Sequence, residues 1–248
     1  MFLLLLAIAP GIAICLYIYA KDKFNREPAS YLLWSFILGV LSALMAVIIE
    51  LIGEPVLSTI VKADSFQYQV ALAFIVIAPA EEGCKYLMLK RYAYRKPEFD
   101  EPFDGIIYSV MVSMGFATLE NIMYVFKNGV ATGFLRMFLS VPAHASFAVL
   151  MGYYVGLAKF SGAREGSLLM KGFLLAVLFH GMFDCFLFLA DDKNVTQIVS
   201  GGLLTLGALI SWFIAIRLSL RAIRTHQNLS QQNHESNGYD ENNTRGNL

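Results

Sequence analysis

Residues 79–85 read PAEEGCK and place two adjacent carboxylates, Glu81 and Glu82, in an otherwise apolar stretch that runs from about residue 68 to residue 89. Such a stretch is long enough to cross a bilayer, which needs roughly 20 residues. Carboxylates at membrane depth are costly, so two in a row need a compensating partner. Lys85 lies one helical turn from both glutamates and is one such partner. A single lysine cannot neutralise two carboxylates, which predicts further polar partners elsewhere in the chain.

The composition places the chain among polytopic membrane proteins. Of its 248 residues, 57% are hydrophobic and only 15% are charged. The formal net charge is zero, so no overall field favours nucleic acid as a partner. The three cysteines lie in apolar segments and form neither a disulfide framework nor a CxxC metal-binding spacing. The N-terminus lacks the basic region of a secretory signal and is interpreted as a retained first helix.

Seven apolar segments predict an all-α fold, a polytopic helical bundle of about seven transmembrane helices. The segments cover approximately residues 2–20, 30–52, 68–90, 103–126, 133–158, 168–190 and 197–219. We therefore assign residues 1–224 to an integral membrane domain. The remainder, 225–248, is rich in Asn, Gln, Ser and His. Because it has too few apolar residues to bury, we expect a disordered tail there.

The basic residues between the segments orient the bundle. Lysine and arginine are most frequent after the first, third and fifth segments and at the start of the tail, as in Lys21, Lys23 and Arg26 after the first segment. The positive-inside rule places these loops in the cytoplasm. The N-terminus is then expected outside and the C-terminus inside.

Three further polar sites lie deep in the predicted helices. Glu120 and Asn121 belong to the fourth segment and His144 to the fifth, while His180 and Asp184 lie one turn apart in the sixth. A lone intramembrane histidine often serves only as a helix–helix hydrogen bond. With the orientation above, however, all these sites lie at a depth similar to that of the two glutamates. We therefore expect one pocket in the middle to outer half of the membrane.

The residue types in this pocket suit the hydrolysis of an amide bond. A buried glutamate can act as general base toward a water molecule that a histidine orients. A second histidine beside an aspartate can stabilise the developing oxyanion. The same groups could instead hold zinc with an activated water, although the HExxH signature is absent. A serine or cysteine nucleophile is less favoured, because Gly-x-Ser-x-Gly does not occur and Cys84 has no evident base beside it.

Five motifs, taken in order, resemble the PrsW family of bacterial intramembrane proteases, which make the first cut in an anti-sigma factor. The motifs are Glu81-Glu82-x-x-Lys85, Asp104-Gly105-Ile106, Gly115-Phe116-Ala117-x-x-Glu120-Asn121, His144-Ala145 and His180-Gly181-x-x-Asp184, within a core of residues 68–190. More distantly, the chain is similar to the superfamily of CAAX prenyl proteases and bacteriocin-processing enzymes. It departs from that superfamily's Phe-x-x-x-His motif, since Ser140 precedes His144 by four residues.

The resemblance implies a CAAX-protease-like core and a role for each matched residue. Glu81 would be the general base, with Glu82 as the less favoured choice. His144 would help to position the water, and His180 with Asp184 would form the oxyanion side. No cofactor is expected under this interpretation. If the enzyme depends on zinc, the expected ligands are Glu81, His144 and His180.

The implied function is a site-1 endopeptidase that cuts a single-span anti-sigma factor, so that a stress-response sigma factor is released after further proteolysis. Lys85, Glu120 and Asn121 would support the catalytic residues. The expected location is a bacterial cell membrane, with the substrate and the lipid bilayer as partners and no nucleic acid. The alternatives are a CAAX-type or bacteriocin-processing peptidase and a zinc-dependent membrane protease. Outside the enzymes, they are a cation or proton transporter and a catalytically silent membrane scaffold.

Overall fold

The computed structural model describes residues 1–63 and 65–245, and this part of the chain is helical with no β-strand. The α-helices are α1 (Phe2–Lys21), α2 (Ala29–Ile60), α3 (Phe66–Ala71), α4 (Ala78–Arg91), α5 (Pro102–Asn128), α6 (Val130–Phe138), α7 (Ser140–Lys159), α8 (Glu165–Asp191), α9 (Lys193–Thr196) and α10 (Gly201–Arg245). A π-helix (Leu72–Ile77) joins α3 to α4, and 3-10 turns lie at Ala93–Arg95 and Gly162–Arg164. The predicted all-α fold is confirmed.

Six stretches of the described chain are long and apolar enough to cross a membrane, which confirms a polytopic helical bundle. They are Phe2–Lys21, Ala29–Ile60, Pro102–Asn128, Val130–Lys159, Gly162–Asp191 and Gly201–Gln232. The predicted third segment differs from these six because it is not one regular helix. It runs from α3 through the π-helix into α4. Pro79 lies in the first turn of α4 and lacks the N–H that a regular helix would use there, so the hydrogen-bond pattern changes just before the two glutamates.

Helix α5 lies at the centre of the bundle and is buried along most of its length. It packs against α1, α2 and α7. Its contact with α7 depends on glycine, since a Cβ on Gly105 would collide with the backbone of Gly152 and Gly156. On its other side, a Cβ on Gly115 would collide with the carbonyl of Phe36 in α2. Small residues therefore hold α2, α5 and α7 at close range and fix the side chains that they carry.

The last helix continues beyond residue 225, where we expected a disordered tail to begin. Its residues His226 and Ser230 are buried, and the His226 ring stacks on Tyr153 with a centroid distance of 4.3 Å. Gln227 Nε2 donates to the carbonyl of Lys21 at 2.7 Å. This part of the tail is therefore packed against the ends of α1 and α7. The polar composition gives no sign of these contacts, because they depend on side chains that find partners on other helices.

Candidate active site

Helix α4 carries two glutamates and a lysine on neighbouring positions of one face. Glu81, Glu82 and Lys85 are all buried, with 6%, 1% and 2% of their surfaces exposed. Lys85 Nζ lies 3.2 Å from Glu81 Oε2 and 2.8 Å from Glu82 Oε1. It also lies 4.0 Å from the centre of the Phe116 ring. The expected pairing within α4 is present, and one ammonium group is shared between two carboxylates.

Two histidines from other helices complete the centre of the site. His144 of α7 places Nδ1 3.2 Å from Lys85 Nζ, and His180 of α8 places Nδ1 2.8 Å from Glu82 Oε1. The two imidazole rings are 5.1 Å apart between centroids and nearly perpendicular, at 89°. Residues that are far apart in the sequence therefore meet at one point. The predicted convergence of these polar residues is observed.

Each imidazole also contacts a carboxylate on its other side. His144 Nε2 lies 2.9 Å from Glu120 Oε2, and His180 Nε2 lies 3.1 Å from Asp184 Oδ2. An ammonium group can only donate, so His144 Nδ1 accepts from Lys85 and the ring proton lies on Nε2, toward Glu120. For His180 both nitrogens face carboxylates, which only accept, so the doubly protonated ring satisfies both contacts. The two histidines are thus held in different electrostatic settings.

Glu120 is itself oriented by a residue that the sequence analysis missed. Arg136, at the end of α6, places Nη2 2.8 Å from Glu120 Oε2 and donates from Nε to Asn121 Oδ1 at 2.9 Å. Asn121 in turn donates to the carbonyl of Ala7 at 2.8 Å. Asn121 therefore links Arg136 to α1 and does not contact either histidine. Nothing in the local sequence shows that α6 folds back onto the site, so Arg136 could not be recognised as a partner of Glu120 from the sequence.

A cavity of about 620 Å³ opens onto this cluster between α2, α5, α7 and α8. Among the residues that line it are five of the predicted site residues: Glu81, Glu120, His144, His180 and Asp184. Glu82 and Lys85 lie behind this surface. The structure therefore separates the two adjacent glutamates, which the sequence could not do. Glu81 reaches the cavity, whereas Glu82 anchors Lys85 and His180 from behind.

The aromatic residue missing four positions before His144 is replaced by rings from elsewhere. Phe116 of α5 and Phe147 of α7 lie 5.9 Å and 6.3 Å from the His144 ring. Phe147 also stacks on His180 at 5.2 Å. Ser140 lines the cavity instead. Both histidines therefore have aromatic neighbours, although this sequence lacks the Phe of the superfamily motif.

A second residue missed by the sequence analysis is Glu50, in α2. It lies within the second apolar segment and lines the same cavity. Its Oε1 atom is buried and makes no hydrogen bond within the described chain. The signal was present in the sequence, since Glu50 is an acidic residue inside a long apolar run. Only the fold shows that it faces the polar cluster.

The central side chains are of chemical types that bind divalent metal ions. Glu81, Glu82, His144 and His180 each offer one ligand atom, and these atoms lie within 4.8 Å of one another. Imidazole and carboxylate are ligands that zinc takes in hydrolytic sites, and metal-bound histidines usually contact a carboxylate through their second nitrogen. Three of these four groups also contact the Lys85 ammonium. This side chain therefore already supplies a positive charge at the centre.

Comparisons with known proteins point to one family. A family described as PrsW family intramembrane metalloprotease matches residues 27–218. Protease PrsW of Geobacillus kaustophilus is 39% identical over 212 residues, which are 85% of this chain and 87% of that protein. Protease PrsW of Bacillus subtilis is 38% identical over 71% of this chain and 78% of its own length, and that of Clostridioides difficile is 37% identical over 73% and 77%. No solved structure matches the chain.

Proposed function

Because this chain belongs to the PrsW family of membrane proteases, we propose that it is an intramembrane endopeptidase in which Glu81 activates a water molecule for attack on a peptide bond. We further propose that it makes the first cut in a single-span anti-sigma factor. The observation that carries the proposal is the position of Glu81. Its carboxylate lies at the wall of a cavity, within 4 Å of both Lys85 and His180. A base, a proton donor and room for a substrate therefore occur together.

In the proposed reaction, Glu81 takes a proton from water as the water oxygen bonds to the scissile carbonyl carbon. His180 turns its Nε2–H from Asp184 toward the carbonyl oxygen as negative charge develops there, while Glu82 holds the ring through Nδ1. The protonated Glu81 then transfers its proton to the leaving nitrogen as the C–N bond breaks. The carboxylic acid that forms passes its proton to the released amine, which gives a carboxylate and an ammonium group, so water is the only other reactant.

His144, Lys85 and Glu120 support these steps from the other side of the site. Lys85 offsets the charge of the two glutamates and fixes the ring of His144 through Nδ1. Glu120, held by Arg136, fixes the same ring through Nε2. Both ring nitrogens are occupied and the ring has one orientation, so in this proposal His144 positions the water indirectly, by fixing Lys85 and Glu120 around it. His180 and His144 therefore have separate roles in the proposal: His180 stabilises the oxyanion, and His144 helps to position the water.

A metal-dependent form of the same reaction is the second candidate, favoured by the four donor groups that lie within 4.8 Å of one another. Glu81, His144 and His180 would hold the ion toward the cavity. A bound zinc ion supplies Lewis acidity and lowers the pKa of a bound water. We favour the metal-independent form because the Lys85 ammonium contacts three of the four donor groups and already offsets their charge.

The proposed orientation places the cavity toward the extracytoplasmic side. The cavity is lined by Glu54 and Lys127, which lie near the C-terminal ends of α2 and α5. The loop charges put these ends outside. A site in this half of the membrane suits the first cut in a membrane-anchored regulator. Family membership also disfavours the transporter interpretation, because the relatives are named as proteases.

The test is cleavage of a single-span anti-sigma factor by the purified full chain in detergent, with and without a strong zinc chelator. Cleavage that survives the chelator but is lost in Glu81→Gln supports the metal-independent form. Loss to the chelator and recovery on adding zinc supports the metal-dependent form. Glu27→Gln is the matched control, because it changes a buried glutamate that does not line the cavity. Cleavage by Glu81→Gln at the wild-type rate would exclude Glu81 as the base.

A further inference from the structure

Glu50 is an acidic side chain in a membrane-spanning helix that forms no ion pair within the described chain. It lies in α2, a 32-residue helix that is otherwise apolar over most of its length. Its Oε1 atom is buried without a hydrogen bond, and the described residues form no ion pair with it. A carboxylate in such surroundings is costly unless it finds donors. Glu50 lies at the cavity wall, where a bound substrate would supply these donors.

Glu50 belongs to one continuous face of α2 that forms a wall of the cavity. The residues of this face follow helical spacing: Ala43, Val47, Glu50, Leu51 and Glu54 all line the cavity. Glu54 lies one turn beyond Glu50, toward the end of the helix, and is exposed. The wall is therefore apolar in its inner part and acidic in its outer part. The histidines lie on the other helices around the same space.

Among the described residues, the two glutamates of this wall differ from the other carboxyls that line the cavity in having no ion pair. Glu120 is paired with Arg136 and His144, and Asp184 is paired with His180. Within the described chain, neither Glu50 nor Glu54 has a basic group within 4 Å. The wall therefore offers carboxyl groups that have no ion-pair partner within the described chain, beside a site where peptide is proposed to bind. Complementary charge on a ligand gives specificity in such a setting.

We propose that Glu50, with Glu54 beside it, forms a subsite for a lysine or arginine side chain of the substrate next to the bond that is cut. This inference rests on the proposed function. The carboxylate of Glu50 would accept hydrogen bonds from the ammonium or guanidinium group, and the apolar inner part of the wall would contact the methylene stem. The chain thereby selects where along an apolar segment it cuts. Glu50 acts in recognition, and the reacting groups remain those around Glu81.

The test uses a library of synthetic peptides with an apolar core of about 20 residues, the length that spans a bilayer, and randomised positions along it. The purified full chain in detergent is incubated with the library, and the cut sites are read by mass spectrometry. We expect wild type to favour Lys or Arg at one position near the cut. Glu50→Gln should lose this preference, and Glu50→Lys should favour Asp or Glu there. Asp191→Asn is the control, since Asp191 is an exposed carboxylate at the end of α8 that does not line this cavity.

Kinetics on single peptides separate recognition from chemistry. For a peptide with lysine at the favoured position, Glu50→Gln should raise KM by about tenfold or more, as expected for a lost hydrogen bond to a charged group, with kcat little changed. A glutamine at that position of the peptide should remove the difference between the two enzymes. The proposal is overturned if wild type shows no preference for basic residues, if Glu50→Gln keeps it, or if kcat falls while KM is unchanged.

Binding to an inactive variant distinguishes failure of the subsite from failure of the proposed function. In the Glu81→Gln background, the lysine peptide should bind more tightly than a matched glutamate peptide, and Glu50→Gln should abolish this difference. If that binding preference is found but wild type cuts no peptide, the proposed function fails and the subsite stands. If wild type cuts peptides but binding shows no preference, the subsite fails alone.

Discussion

Two groups of buried carboxyls occur in this bundle, and they differ in what offsets their charge. The first, at the cavity, is Glu81 and Glu82 with the Lys85 ammonium between them and a histidine on each side. The second, which we call the loop acid cluster, comprises Asp22, Glu27, Glu101 and Asp104, around the loop between α1 and α2 and the start of α5. All six carboxyl groups are buried. Burial alone therefore does not distinguish a catalytic carboxylate from a structural one.

The loop acid cluster is held by uncharged donors. Asp104 Oδ2 accepts from the backbone N–H groups of Asp100 and Glu101 at 2.9 and 2.7 Å and so caps the start of α5. The Tyr108 hydroxyl donates to Glu27. Within the described chain, no basic side chain forms an ion pair with this cluster. Its residues also do not line the large cavity. Both clusters contain buried acidic residues. The proposed site differs from the helix cap in having a cationic partner and an open cavity.

Burial also raises the pKa values of carboxyls in the loop acid cluster. It raises the pKa of Glu27 from 4.5 to about 7, although a hydrogen bond from Tyr108 opposes the rise. Burial likewise raises the pKa of Asp22 from 3.8 to about 6 and that of Glu101 from 4.5 to about 7. Burial therefore makes these carboxyls harder to ionise in the folded protein than in water.

The largest expected difference between the two clusters is in catalysis. Glu81→Gln should lower the rate of cleavage by about 10²–10⁴-fold, the contribution of a general base, whereas Glu27→Gln should leave it nearly unchanged. The measurement is the initial rate of substrate cleavage, with unfolding midpoints recorded for both variants. Equal losses of cleavage rate in the two variants would mean that Glu81 matters no more for catalysis than Glu27. A fully active Glu81→Gln would remove the proposed base.

The next difference concerns the cation. Lys85→Met should destabilise the fold by about 3–5 kcal/mol, because it leaves two buried carboxylates without the ammonium group that they share. The double variant Lys85→Met with Glu82→Gln should recover part of this loss, since one of the unpaired charges is then gone. Thermal unfolding in detergent measures both effects. If Lys85→Met unfolds at the wild-type temperature, the Lys85 contacts do not stabilise the fold and the contrast with the loop acid cluster disappears.

A smaller effect is expected from pH on the loop acid cluster. Because the pKa of Glu27 is raised in the folded state, folding takes up protons between about pH 4.5 and 7. Stability should therefore fall as pH rises through this window and level off above it. Glu27→Gln should make the unfolding midpoint less dependent on pH over the same window. A variant with the full wild-type pH dependence would show that Glu27 is not the group that titrates.

The smallest effect is expected at the C-terminus. Removing residues 228–248 should leave cleavage largely intact, because the removed residues whose side chains the structure describes do not reach the cavity. The truncation keeps the contact of Gln227 with Lys21 but loses buried Ser230 and the contact of the His234 ring with Phe24 at 5.8 Å. We expect a stability loss of about 1 kcal/mol, read from the unfolding midpoint. An inactive truncation that is still folded would show that the tail takes part in the reaction.

Much of this protein could be predicted from the sequence because the relevant signals are local. An apolar run long enough to span a bilayer indicates a membrane helix whatever surrounds it, and an acidic or histidine residue inside such a run is conspicuous because its burial is costly. The central polar residues, from Glu81 to Asp184, could therefore be named without a structure. The order of their motifs also indicated the family that the comparisons then showed.

The tertiary structure decided which of these residues meet and which face the cavity. The rotation of each helix about its axis is set by its packing against other helices, as at Gly105 and Gly152. A local sequence pattern does not contain this information. For this reason the sequence could not separate Glu81 from Glu82 or bring Arg136 to Glu120. It also could not show that Glu50 lines the site. The contact between Glu82 and His180 joins residues 98 positions apart, and only the folded chain brings them within 2.8 Å.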